Sequence, residues 1–194
     1  MSINYSNTIC NQSATVISDI LTHNGLDAIS GIVYTGAIPH SRAASVLDPR
    51  AMELVGPQVQ YTDVESAMTG RINWVNNCFS DPPTLPWGKY SALLGSAASM
   101  SPTVFTLISS RVQNTDALAA AGGNGLPVLI IHGTNDKMVV GPEVEKLVRE
   151  WFTDVEAQYV EEGSHTVFWE HESVFVDSIV KFAQRVSLKA VARD

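Results

Sequence analysis

The sequence has 194 residues, of which 45% are hydrophobic and 16% charged, a composition ordinary for a globular protein rather than a disordered or fibrous one. An average domain has about 150 residues, so we expect one compact unit with a sizeable core. The net charge of −8 is spread along the chain and disfavours a surface that neutralises phosphates, so we expect neither nucleic acid nor a membrane as a partner.

The cysteines and the amino terminus bear on the compartment. Cys10 and Cys78 lack the spacing of a metal site, and two thiols in a chain of this length do not form a disulfide framework. The start, MSINYSNTIC, lacks the basic and then apolar run of a secretory signal, and no stretch of about 20 apolar residues occurs. These features predict a soluble, cytoplasmic protein.

The chain begins with a predicted helix and a predicted strand. Residues 13–24 favour a helix with Ser13 as a candidate N-cap and Gly25 as a stop, and they place four apolar residues on one face: Val16, Ile17, Ile20 and Leu21. The β-branched run 29–34 is typical of a buried parallel strand. A helix followed by a strand indicates a crossover connection.

Between about residues 40 and 125 the pattern is helical, is broken by proline and glycine, and contains no convincing strand. The clearest helix should start at Thr62, which could form a capping box with Glu65. Further helices are predicted after Ser101 and around Leu118. We interpret this stretch as a helical insertion.

The βαβ order returns after the insertion. The continuous apolar run 127–131 predicts a central parallel strand, and a helix from Gly141 and an alternating strand at 155–159 follow it. A closing helix is marked by apolar residues at helical spacing: Phe175, Ile179, Phe182 and Val186.

This order of elements predicts an α/β fold with a mostly parallel sheet and a helical cap inserted between strands. The core would comprise residues 1–40 and 124–194, and the cap residues 41–123. Chemistry in such sheets lies beyond the carboxyl ends of the strands, so the loops after Ile131 and Val160 are the places to inspect.

Those two loops read HGTND at 132–136 and EGSH at 162–165. In a Ser-His-Asp system, a buried carboxylate holds the imidazole in one tautomer and stabilises the imidazolium that forms during catalysis. Asp136 and His165 have the residue types and the chain order for that pairing. A simpler alternative is that Asn135 and Asp136 only form a turn and that His165 is an ordinary loop histidine.

The segments around both residues carry a family resemblance. PVLIIHGTNDKMV at 127–139 and GSHTVFWEH at 163–171 resemble the acid strand and the histidine loop of the α/β-hydrolase superfamily. DAISGIVYTGAIP at 27–39 is similar to the sixth strand of that fold, and the insertion is similar to its lid. The resemblance implies hydrolysis of a small apolar ester or related acyl compound by a serine nucleophile, without metal or organic cofactor. The family also contains dehalogenases, epoxide hydrolases, C–C hydrolases and haloperoxidases, so it leaves the substrate open.

The nucleophile elbow of that family, G-x-S-x-G, does not occur in the sequence. Extending the resemblance backwards from Asp27 without gaps places Asn11 at the nucleophile position, and asparagine cannot replace an activated serine. Cys10 and Ser13 are the nearest weak candidates, but neither has the small flanking residues of a strained turn.

The aromatic residues Trp74, Phe79, Trp87 and Tyr90 of the insertion could line an apolar substrate pocket, although aromatics at helical spacing more often form ordinary core. His132, at the end of a buried strand, is better interpreted as a packed histidine than as a catalytic one.

Three functions remain open. The chain could be a truncated form of a serine hydrolase that does not act alone. It could be a non-catalytic, hydrolase-like protein that binds a small apolar ligand. It could also be an active hydrolase that uses Cys10 or Ser13, or that completes its site with another chain. If the chain is expressed alone, an incompletely paired sixth strand predicts self-association through an exposed sheet edge.

Overall fold

The computed structural model describes residues 13–40 and 43–191. Within these ranges, parallel strands form a sheet in the order β1 (Ile32–Thr35), β2 (Val128–Gly133) and β3 (Val155–Val160). Val128 lies opposite both Ile32 of β1 and Val155 of β3. Every residue of β2 is buried, because a central strand that is covered on both faces leaves no side chain in water. The prediction of a central parallel strand is confirmed.

Helices precede, separate and follow the strands. Helix α1 (Ser13–Asn24) leads into β1, α7 (Gly141–Trp151) connects β2 to β3, and α8 (Val167–Glu170) and α9 (Glu172–Val191) close the chain. In the described residues between β1 and β2 the α-helices are α2 (Pro49–Val59), α3 (Val64–Asn77), α4 (Trp87–Ser99), α5 (Pro102–Ser109) and α6 (Asp116–Gly123). The predicted helical insertion between two neighbouring parallel strands is confirmed.

The two faces of the sheet bury different partners. Val128 and Ile130 belong to a core that contains residues of α1, α6 and α7. Leu129 and Ile131 point to the opposite face and pack with apolar residues of β3, α8 and α9: Val160, Val167, Ile179, Phe182 and Val186. This alternation follows from the two-residue repeat of a strand and produces a helix–sheet–helix arrangement.

Two local predictions are wrong in detail. The capping box at the start of α3 is formed by Asp63 and Ser66 rather than by Thr62 and Glu65: Asp63 Oδ1 accepts from the Ser66 amide at 2.7 Å. Thr62 instead donates its hydroxyl to Asp63. Thr62 and Glu65 fit the usual capping-box pattern better, but a carboxylate at the N-cap accepts more strongly and suits the positive end of the helix dipole. Strand β1 occupies 32–35 rather than the predicted 29–34.

No single helix among the described residues has the length and hydropathy to span a membrane. Helices α4 and α5 pass that test only as a pair, and their axes differ by 87°.

Candidate active site

The acid loop follows β2 and is shaped by hydrogen bonds of its own backbone. The Asp136 carboxylate oxygen Oδ1 accepts from the amides of Met138 at 2.7 Å and Val139 at 3.0 Å. The amide of Asn135 donates to the carbonyl of Gly163 at 2.8 Å, which ties this loop to the one that follows β3. The Asp136 side chain is therefore held beside the base loop, because neighbouring parallel strands end at the same edge of the sheet.

The base loop follows β3 and places His165 against that carboxylate. Nδ1 of His165 lies 3.0 Å from Oδ2 of Asp136, and both residues are buried, with exposed fractions of 6% and 7%. An ionised carboxylate can only accept, so the Nδ1–H group donates a hydrogen bond to Asp136, and Nε2 is the ring nitrogen left to accept a proton. The sequence prediction that these two residues form one pair agrees with this geometry.

Glycines allow the loops to approach this closely. Gly36, directly after β1, has a φ of +52°, and a Cβ placed on it would lie 2.8 Å from Nδ1 of His165. A Cβ on Gly133, at the end of β2, would overlap the carbonyl oxygen of Gly163. A side chain at either position would therefore push on the loop that carries His165.

His132 is a further contact of the acid, and the sequence interpretation gave it no role beyond packing. Its Nε2 lies 3.1 Å from the carbonyl oxygen of Val139 and 3.5 Å from Oδ2 of Asp136. Burial lowers the pKa of His132, although the nearby charge of Asp136 opposes that shift. His132 is therefore neutral at pH 7, and its N–H faces these two oxygens. The sequence feature that could have indicated this contact is the position of His132 at the end of a strand, four residues before Asp136.

Opposing effects act on the pKa of Asp136. Burial raises it, because the charged form loses water. The charge and hydrogen bond of His165 lower it, as do His132 and the amide of Met138. Together they hold the pKa of Asp136 below its ordinary value of 3.8. Asp136 is therefore ionised at neutral pH and can stabilise an imidazolium on His165.

The other described candidate residues lie on the helices that precede and follow β1. Ser13 is the first residue of α1, and Cys10 lies outside the described residues. Trp74 is buried and packs edge-on against Phe105 at 5.7 Å. The Trp87 side chain is 74% exposed, and its ring centroid is 6.0 Å from that of Tyr90. Trp74 is thus a core residue, and the role of these aromatics in a substrate pocket stays a prediction.

Phe79 is fully buried and stacks on Trp169 of α8 at 6.2 Å, so the insertion packs directly against the segment that follows the base. Within residues 13–40 and 43–191, no group of three or more His, Cys, Asp or Glu side chains could hold a metal ion.

Comparisons with known proteins give the fold. No protein-family model matches the sequence, and no curated protein matches it. Among solved structures, a proposed aryl esterase from Burkholderia cenocepacia matches 91% of this chain with a TM-score of 0.76 at 19% identity. The esterase RhEst1 from Rhodococcus sp. ECU1013 matches 91% with a TM-score of 0.74 at 26% identity. A bromoperoxidase from Bacillus anthracis matches 90% with a TM-score of 0.66 at 20% identity.

The matched region is a part of each of those proteins. The chain spans 62% of the length of each esterase and 65% of the bromoperoxidase. The three parallel strands and the helical insertion correspond to a partial sheet with a cap, as the sequence predicted. The chain therefore has part of the α/β-hydrolase fold.

Proposed function

We propose that Asp136 and His165 are the acid and the base of a serine-hydrolase-type site that cleaves a small apolar ester or a related acyl compound. The observation that carries this proposal is the 3.0 Å contact between His165 Nδ1 and Asp136 Oδ2 in a buried setting. The fold of two esterases supports the reaction class. The cytoplasmic location predicted from the sequence is part of the same proposal.

In this mechanism His165 accepts a proton at Nε2 from the nucleophile as the nucleophile attacks the acyl carbon. Asp136 stabilises the resulting imidazolium through Nδ1–H. The imidazolium then protonates the leaving alkoxide, and an acyl-enzyme remains. His165 next deprotonates a water molecule that attacks the acyl-enzyme, and the imidazolium then returns the proton to the nucleophile as the acid is released.

The described contacts of His165 and Asp136 do not identify the nucleophile. Cys10 and Ser13 stay candidates, and the third source is a serine outside these 194 residues. We favour the third source, because neither candidate has the small neighbours that a strained elbow turn requires. A G-x-S-x-G encoded upstream of Met1 would support this choice.

The test uses the purified chain, alone and extended by the residues encoded upstream of Met1, with a chromogenic short-chain ester and a fluorophosphonate that labels activated serines. The variants are His165→Gln and, as a matched control on an exposed histidine, His23→Gln. In the form that turns over the ester, we expect His165→Gln to lower kcat/KM by about 10³-fold or more and His23→Gln to leave it unchanged. Equal turnover by His165→Gln would contradict the role of His165 as the base.

A non-catalytic, ligand-binding protein is the second candidate, since the acid and base are present without a recognisable elbow. It predicts neither a covalent adduct nor turnover, but saturable binding of an uncleavable ester analogue. That binding should be weakened by substitutions at the pocket candidates, and Tyr90→Phe tests one of them.

A further inference from the structure

The end of α3 and the three residues after it contact both loops of the proposed site. We call residues 77–80 the α3 end. Hydrogen bonds join the α3 end to Ser164, Thr166 and Glu170, and the Lys137 ammonium group of the acid loop donates to two of its carbonyls. The helical insertion is therefore joined by hydrogen bonds to the residues beside Asp136 and His165.

The residues on each side of His165 donate to one carbonyl of the α3 end. The Ser164 hydroxyl donates to the Cys78 carbonyl at 2.9 Å, and the Thr166 hydroxyl donates to the same oxygen at 3.1 Å. Ser164, His165 and Thr166 are all buried. Two neutral hydrogen bonds thus hold the backbone that carries the base.

Glu170, at the end of α8, joins the same two parts through its carboxylate. Oε1 accepts from the Ser80 amide at 3.0 Å, and Oε2 accepts from the Ser164 amide at 3.0 Å. Each oxygen therefore serves one partner, one in the insertion and one directly before His165. Hydrogen bonds to a charged acceptor are stronger than neutral ones, so this link should be the strongest of the set.

We propose that Glu170 is a positioning residue that keeps His165 on Asp136 by linking the base loop to the α3 end. The role rests on the proposed function of the pair, and Glu170 itself touches no reacting group. A glutamate suits the position because both of its oxygens accept. A glutamine would present its NH₂ group to one of the two amides, so one bond would be replaced by an unfavourable contact.

The experiment measures hydrogen exchange by NMR and needs no catalytic turnover, so it stands apart from the test of hydrolysis. The observed protons are the amides of Ser80 and Ser164 and Nδ1–H of His165, whose resonance is assigned by its loss in His165→Gln. The variants are Glu170→Gln and Glu170→Ala. The matched control is Glu172→Gln, two residues further on and exposed at the start of α9.

We expect all three protons to exchange at least tenfold faster in Glu170→Gln and faster still in Glu170→Ala, while Glu172→Gln matches the wild type. Amides of the central strand, such as that of Leu129, should not change. Acceleration at Ser80 and Ser164 without a change at His165 would overturn the proposal, because Glu170 would then be structural only. If neither variant folds, the same measurement on the wild type tests the link. We expect the three protons to exchange through one shared opening and therefore to have equal protection factors. A protection factor for His165 that differs more than tenfold from those of the two amides would refute the link.

Discussion

At the scale of single residues, both oxygens of the Asp136 carboxylate have partners. Oδ1 accepts two backbone amides, and Oδ2 lies 3.0 Å from His165 and 3.5 Å from His132. A buried carboxylate without such partners would take up a proton, and its pKa would rise. The partners instead lower the pKa, which keeps the acid charged at pH 7.

This lowered pKa predicts a pH-dependent contribution to stability. The folded state holds Asp136 below its ordinary pKa of 3.8, so its stabilisation is fully present above about pH 4 and is lost as pH falls through the lower folded value. We expect Asp136→Asn to reduce the free energy of unfolding at pH 7 by about 2–3 kcal/mol, and the gap to the wild type to narrow below pH 4. Urea denaturation at several pH values measures this.

The control for this prediction is Asp177→Asn, a substitution at an exposed carboxylate on α9. It should change the unfolding free energy by no more than about 0.5 kcal/mol at any pH. A gap between Asp136→Asn and the wild type that stays constant down to pH 3 would contradict the assignment.

Gly36 and Gly25 form a matched pair for testing the contact of β1 with the base. Both have a positive φ, of +52° and +87°, but only a Cβ on Gly36 would collide with His165. We expect either glycine-to-alanine change to destabilise the fold by about 1–3 kcal/mol through backbone strain. Only Gly36→Ala should also shift the imidazole resonances of His165 in the NMR spectrum. Equal spectra of His165 in the two variants would exclude a tight contact at Gly36.

At the scale of elements, Lys137 links the acid loop to the α3 end. Its ammonium group donates to the carbonyls of Phe79 and Ser80, each at 3.3 Å, and the Asn77 side chain donates back to the Lys137 carbonyl at 2.9 Å. The acid loop and the base loop are thus both attached to the same turn of the insertion.

Replacing Lys137 by methionine keeps the aliphatic stem and removes the charged donor. We expect the free energy of unfolding to fall by about 1–2 kcal/mol, because two carbonyls lose a charged partner. The measurement is urea denaturation, with Lys146→Met as the control because that side chain is 68% exposed. An equal loss of unfolding free energy in Lys146→Met would show that the effect comes from the change in net charge and not from the hydrogen bonds of Lys137.

Element types were predictable because hydrophobic periodicity is local. The apolar run of β2 and the caps of α5 illustrate this: Ser101 accepts from the Val104 amide, as its position before Pro102 indicated. Boundaries were less predictable. At the start of α3 both Thr62 and Asp63 are residue types that cap helices, and the sequence pattern alone does not decide between them.

At the scale of the whole molecule, β1 lies at one edge of the sheet. Ile32 donates its amide to the Pro127 carbonyl on the β2 side, so the amide of Val33 faces the outer edge. Among the described residues no strand pairs there, and the Thr35 hydroxyl oxygen is buried without a described hydrogen-bond partner. This edge is the place where a further strand could add.

We therefore predict that the chain expressed alone self-associates through β1. Sedimentation analysis should show dimers or larger species whose fraction rises with concentration. Val33→Pro removes the outward amide, which an edge strand tolerates, and should reduce association. A monodisperse monomer with a cooperative melt at all concentrations would contradict the prediction.

The sequence by itself determined the parallel sheet, the helical insertion and the pairing of Asp136 with His165. It could do so because each of these depends on local patterns and on one general rule, that neighbouring parallel strands present their loops at one edge. Only the tertiary structure decided that His132 lies beside the acid, that Gly36 lies against the base, and that Glu170 joins Ser80 to Ser164. Those contacts connect residues from separate elements, and hydrogen bonds of that kind exist only after packing has set the positions of both partners.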